Sequence, residues 1–270
     1  MSNLGANWFN EYPLLKEYLG PVLEEPVKRV IHSSDEQNIL TAALSDSWAE
    51  SKNNLRELEE VLRLGKAKCQ DFGCIFRRLR NLSVTSRYKA NEVIHDIIVE
   101  VEAFEYLHNH RFTEITRLRE SPKCTVDFVA HRSGNTYAIE ATRLGIPQSP
   151  RKQVKPFLKD TLIKGLSGVN AHDPFVYSLS SKIEAEYAQL DRFCKAQRDG
   201  HSGIVIVSVG RRFFISERTR DEFNILPNTA QNALAEVWHK LKMNDSCLYL
   251  NHLIFIVRRD RIYAYPDLPG

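Results

Sequence analysis

Asp127 and Glu140 are the residues of this chain whose setting most invites chemistry. Each sits in a short run of β-branched and aromatic residues: Cys124-Thr125-Val126-Asp127-Phe128-Val129-Ala130 and Thr136-Tyr137-Ala138-Ile139-Glu140-Ala141-Thr142. Between them lies Arg132-Ser133-Gly134-Asn135, a polar stretch with turn composition, so the two runs read as an antiparallel hairpin. A carboxylate inside a strand is expensive to bury unless something compensates its lost hydration, and a divalent cation is a common answer. On adjacent strands the two acids can reach one Mg²⁺, an arrangement suited to cutting phosphodiesters. The plainer alternative is that the alternation of apolar and polar residues merely turns both acids to solvent.

The elements that must position this pair are legible on either side. Residues 91–108 have helical period, with Val93, Ile97, Phe104 and Leu107 as the apolar stripe and Glu100 in register with it. Residues 178–198 form a second expected helix, with Ile183, Ala185, Tyr187, Ala188, Leu190 and Phe193 as its apolar positions. The continuous apolar run Gly203-Ile204-Val205-Ile206-Val207-Ser208-Val209 predicts a strand covered on both faces. A helix over 228–242 and a hairpin over 252–257 and 261–265 complete the chain. The alternation of helices and strands gives an α/β sandwich around a mixed sheet. Residues 1–90 carry helical patterns, including 55–64, and no strand signal, which sets them apart as an N-terminal helical domain (1–90) ahead of an α/β domain (91–270).

Composition narrows the class further. The chain has 270 residues, 43% hydrophobic and 26% charged, as an ordinary globular protein does. No apolar run approaches the roughly 20 residues of a membrane helix. Five scattered cysteines without C-x-x-C spacing favour reduced thiols, and the first residues lack a basic-then-apolar pattern, so a cytoplasmic protein without membrane attachment is expected. A net charge of +3 is too small to identify a nucleic-acid binder by itself. Local clusters are more informative. Arg143, Arg151, Lys152, Lys155, Lys159 and Lys164 are opposed only by Asp160, and Arg77, Arg78, Arg80, Arg87 and Lys89 form a second basic group. Each reads either as a solvated surface or as a phosphate-contacting one. No phosphate-binding glycine loop is present, and no serine or cysteine stands in a recognisable nucleophile setting.

Taken together, Glu100-x-x-Ala103-x-x-x-Leu107 on a helix, Pro122-x-x-x-x-Asp127 leading into a strand, and Ile139-Glu140-Ala141-Thr142 on the next strand resemble the PD-(D/E)XK nuclease superfamily. The resemblance covers about residues 91–209 and implies a restriction-endonuclease-like α/β/α core. It implies Mg²⁺, replaceable by Mn²⁺, held by Asp127 and Glu140, with Glu100 holding a second ion or positioning a water. Thr142 stands where the family pattern has a lysine. By the same resemblance, Lys182 on the following helix is the substitute, with Gln189 as its companion. Arg143, Arg151, Lys152, Lys155 and Lys159 would touch the nucleic-acid backbone. The implied activity is metal-dependent endonucleolytic cleavage, of DNA first of all, in bacterial antiphage defence or mobile-element biology. The N-terminal helices would sense a trigger, dimerise or dock a partner such as a helicase. The rival expectation, supported by Thr142, is an inactive nuclease-like fold that binds nucleic acid or protein within a complex.

Overall fold

In the computed structural model the described residues are 11–18, 49–77, 87–119, 126–144, 174–197, 200–208, 227–243, 248–258 and 261–268. They build one six-stranded mixed sheet with helices on both faces. The strands are β1 (Thr113–Arg117), β2 (Phe128–Arg132), β3 (Asn135–Arg143), β4 (Ser202–Ser208), β5 (Leu250–Arg258) and β6 (Arg261–Tyr265). Their order in the sheet follows their order in the chain. β3, β4 and β5 run parallel, while β1–β2–β3 and β5–β6 are antiparallel. The helices are α1 (Ala49–Lys68), α2 (Arg87–Asn109), α3 (Pro174–Ala196) and α4 (Pro227–Met243). The parallel strands are separated along the chain by α3 and then α4, as a parallel pair requires a crossover.

The expected elements are all present among the described residues, with β2 beginning later than its apolar run suggests. Asp127 lies just ahead of the strand, because its carboxylate rather than its backbone takes the Ala141 N–H (2.9 Å). The hairpin that follows turns on Ser133 and Gly134, both with positive φ (49° and 78°), the pair of values a two-residue turn between twisted strands needs. β4 is buried on both faces as its composition predicts. Ile204 and Ile206 face the side covered by α2, and Val205 and Val207 face the side covered by α3 and α4.

β1 was not anticipated. Its sequence, Thr-Glu-Ile-Thr-Arg, has only one large apolar residue, and Glu114 adopts φ 50°, where the pairing with β2 is irregular. The N-terminal elements join the same core. Leu15, Leu55, Leu58 and Leu62 pack with Phe72, Phe76 and Phe104 in the cluster that also lines the sheet. Glu59 accepts the N–H groups of Leu14 (3.1 Å) and Leu15 (2.9 Å), satisfying two donors at the start of a short helical segment. The chain after α1 makes a single parallel bridge to the sheet edge. Gln70 N–H bonds Ile115 O (2.9 Å), and Arg117 N–H bonds Gln70 O (2.9 Å). α2 itself starts at Arg87, so the expected boundary at 90 falls inside a helix. Among the described residues, no helix is long and apolar enough to cross a membrane.

Close approach of α3 to the sheet depends on Gly203 at the start of β4. A Cβ there would lie 2.2 Å from Leu190 Cδ2 and 2.6 Å from the Tyr249 carbonyl oxygen. The second neighbour is backbone and cannot step aside. We expect Gly203→Ala to lower unfolding stability by about 1–3 kcal/mol in urea titration. Because α3 carries part of the candidate site, the same variant should weaken whatever that site binds.

Candidate active site

The pairing of Phe128 with Ile139 sets Asp127 opposite Glu140 when extended by one residue. Both acids share the sheet face of Val129 and Ala138, the face covered by α3. Glu140 is 2% exposed, so the solvent-facing alternative fails for it, and the Asp127 side chain is 13% exposed. Ala141 N–H holds Asp127 Oδ2, while Gln189 Nε2 donates to Glu140 Oε1 at 2.6 Å. Glu140 titrates well above the ordinary carboxylate range. Burial is the largest cause, followed by the Asp127 charge, a hydrogen bond with Asp127 and the Glu186 charge, with the Gln189 amide opposing them. When Glu140 is protonated, its proton is donated towards Asp127, which relieves the repulsion between the two carboxyl groups.

Behind Asp127 stands Arg117, at the end of β1. Its guanidinium donates from Nε to Glu100 Oε2 (2.6 Å) and lies with NH2 3.0 Å from Asp127 Oδ1. NH1 bonds the Leu118 carbonyl and the Asp127 carbonyl (3.2 Å), and the group lies over the Phe128 ring. Arg117 and Glu100 are each 3% exposed at the side chain. Glu100 thus meets Arg117 from the α2 side of the sheet, whereas Glu140 stands on the α3 side. Sequence reasoning grouped Glu100 with the metal acids and overlooked Arg117. The available signal was Ile115-x-Arg117, which puts an arginine on the inward face of a short strand.

On α3, Lys182, Glu186 and Gln189 follow at i, i+4 and i+7, so they share one helix face. Each precedes a core residue (Ile183, Tyr187, Leu190), which places the row along the edge of the buried stripe. Glu186 Oε1 accepts both Thr142 Oγ1 (2.8 Å) and Lys182 Nζ (2.8 Å). Lys182 and Thr142 thus meet on one carboxylate, Glu186, that sequence reasoning missed. Arg143 points to the opposite side of β3, where its Nε lies 3.3 Å from Asp96 Oδ1 on α2. Arg151, Lys152, Lys155 and Lys159 lie outside the described residues.

Among the described residues, no three or more His, Cys, Asp or Glu side chains form a metal-ligand group. The fit to a divalent cation rests on two carboxylates. Glu140 is buried beside Asp127 in a setting that disfavours its charge, and a cation there would take the place of the proton. Mg²⁺ commonly uses one or two protein carboxylates and completes its shell with waters and substrate phosphate. No protein-family model matches this chain, and no curated protein or solved structure matches it either.

Two stability measurements follow from this electrostatic layout. For Glu140, the raised folded-state value means its contribution is fully present below the unfolded carboxyl value, about 4.3, and is lost as pH rises above it. Between pH 5 and 8 in EDTA, wild type should lose stability relative to Glu140→Gln by up to about 1.4 kcal/mol per pH unit. Urea titrations across that range check the slope, and parallel curves would contradict the layout. Arg117→Met should cost about 3–5 kcal/mol by removing the buried cation that lies between Glu100 and Asp127. The double change Arg117→Met with Glu100→Met should recover most of it, as thermal unfolding would reveal.

Proposed function

We propose that this chain is a divalent-cation-dependent nuclease that hydrolyses phosphodiester bonds of DNA. The observation that carries the reading is the Asp127–Glu140 pair, opposite one another on neighbouring strands with Glu140 buried, together with Lys182 of α3 on Glu186, the carboxylate that Thr142 bonds two residues beyond Glu140. The resemblance of the surrounding motifs to PD-(D/E)XK nucleases supports the same chemistry.

Asp127 and Glu140 would hold the Mg²⁺, which supplies a water of lowered pKa and neutralises charge on the phosphoryl oxygens when bound. Ala141 N–H fixes one oxygen of Asp127, and Gln189 fixes one oxygen of Glu140, so neither acid must reorganise. Arg117 balances the Asp127 charge from the protein side and keeps Glu100 engaged with α2's side of the sheet. Lys182, 37% exposed at its side chain, is the cation of the α3 row that solvent and substrate can reach. Its ammonium stabilises charge on the phosphate during attack. Glu100 acts behind the site through Arg117 instead of holding a second ion.

A second reading keeps the fold as a nucleic-acid- or protein-binding subunit without catalysis. Thr142 favours it, since a hydroxyl at that position carries no charge.

Plasmid DNA incubated with Mg²⁺ or Mn²⁺ separates the two. Wild type should nick or linearise the plasmid. Asp127→Ala, Glu140→Ala and Lys182→Ala should each reduce the rate by about 10²-fold or more while unfolding cooperatively. Cleavage that survives both acid substitutions sinks the assignment. Salt-sensitive DNA binding by an inactive wild type favours the second reading.

A further inference from the structure

Thr142 and Lys182 both bond to a single oxygen of Glu186, although they come from different elements and are far apart in sequence. Thr142 follows Glu140 by two residues on β3, so it shares the sheet face of the acid pair and is buried at 7% exposure. Lys182 is long, partly exposed, and sits more than two turns into α3. A lysine in such a place has many rotamers open to it, and an i,i+4 carboxylate alone holds it only weakly when exposed. Here the holding carboxylate is itself fixed. Glu186 is 22% exposed at its side chain and its Oε1 is tied to β3 by the Thr142 hydroxyl. The ammonium is thereby held by a carboxylate that is itself bonded to the strand.

We propose that Glu186 is a positioning residue: with Thr142 as its anchor on β3, it holds the Lys182 ammonium where a lysine at 142 would put one. This deepens the nuclease reading and rests on it. Glu186 then touches neither phosphate nor metal ion. Its work is to make a helix-borne lysine serve a strand position, and Thr142 becomes part of that device, not a gap in the site. Two consequences separate this from a ligand role and from simple structural support. Removing Glu186 should lower turnover without raising the Mg²⁺ concentration needed for half-maximal rate. A lysine placed directly on the strand should make both Glu186 and Lys182 dispensable.

The experiment compares Mg²⁺-dependent plasmid cleavage by wild type, Glu186→Ala, Lys182→Ala, Lys182→Ala with Thr142→Lys, and Glu186→Ala with Thr142→Lys. Each protein is titrated with Mg²⁺ and checked for cooperative unfolding. Glu186→Ala and Lys182→Ala should each lose about 10²-fold in rate at unchanged half-saturating Mg²⁺. Thr142→Lys should restore at least about a tenth of the wild-type rate in both backgrounds, by analogy with the size of such charge effects. Should the Thr142→Lys proteins fail to fold, ethylammonium added to Lys182→Ala gives the second measurement. It should recover activity there and leave the Lys182→Ala, Glu186→Ala double variant inactive.

Three results would overturn the role of Glu186 while leaving the nuclease reading in place. Wild-type rates in Glu186→Ala would free Lys182 from its holder. A raised Mg²⁺ requirement in Glu186→Ala, without recovery by Thr142→Lys, would make Glu186 a cation ligand. Equal ethylammonium recovery with and without Glu186 would remove its positioning role. An inactive wild type in both metals overturns the nuclease reading itself, and the assignment of Glu186 with it.

Discussion

Four carboxylates gather where β2 begins and β3 ends, and the distribution of charge among them constrains everything built around them. Glu100, Asp127, Glu140 and Glu186 share the neighbourhood with two cations of the described residues, Arg117 and Lys182. Arg117 lies between Glu100 and Asp127, and Lys182 lies on Glu186. Glu140 receives a neutral amide and the hydrogen bond with Asp127, so its charge is the one that burial suppresses. A buried ion pair contributes little net stability once desolvation is counted, but breaking one is costly. The arrangement therefore fixes where charge can be added more than it strengthens the fold. Under the proposed function, a divalent cation would be taken up beside Glu140, on the α3 side of the sheet, where it would relieve the suppressed charge.

That same constraint ties the N-terminal region to the site. Arg117 is held at its side chain by Glu100 and Asp127 and at its backbone N–H by Gln70, in the segment that follows α1. The helical N-terminal residues and the sheet thus meet at the residue that balances Asp127. Phe72 stacks edge-on against Phe104, one turn along α2 from Glu100, so the packing that fixes α2 also comes partly from this region. A helical segment set apart by its composition is, in the fold, part of the frame behind the acids.

Much of this was legible in the sequence because period and composition agree. The apolar runs of β4 and β5, the helical stripes of α2 and α3, and the Ser133-Gly134 turn each follow a local rule, and each formed as that rule predicts. Asp127 and Glu140 were readable as a pair for the same reason. β1 was not, since Thr113–Arg117 carries one large apolar residue and its value lies in a buried arginine whose partners are 10 and 17 residues away. Glu186 was hidden by its ordinary local setting, an acid four residues after a lysine on a helix. Such a pair usually marks a solvated face. Only the crossover that lays α3 on β3 brings it to Thr142, and no local pattern encodes that.

The threonine at 142 is where sequence and structure place their weight differently. In the sequence it is a missing charge at the strand position that follows Glu140 by two. In the fold its hydroxyl is one of two donors on Glu186 Oε1, and the other donor is an ammonium. A lysine side chain rooted in β3 would have its reach set by the strand alone. One rooted in α3 depends on how closely that helix lies against the sheet, which Gly203 permits at Leu190. The charge at this end of the site is then sensitive to helix position in a way that Asp127, held by Ala141 N–H on the strand, is not. A small shift of α3 would move Lys182, Glu186 and Gln189 together while leaving Asp127 in place. The lysine and Asp127 are therefore mechanically separable, Glu140 is linked to the helix through Gln189, and the spacing between them is set by the packing of one helix on one strand.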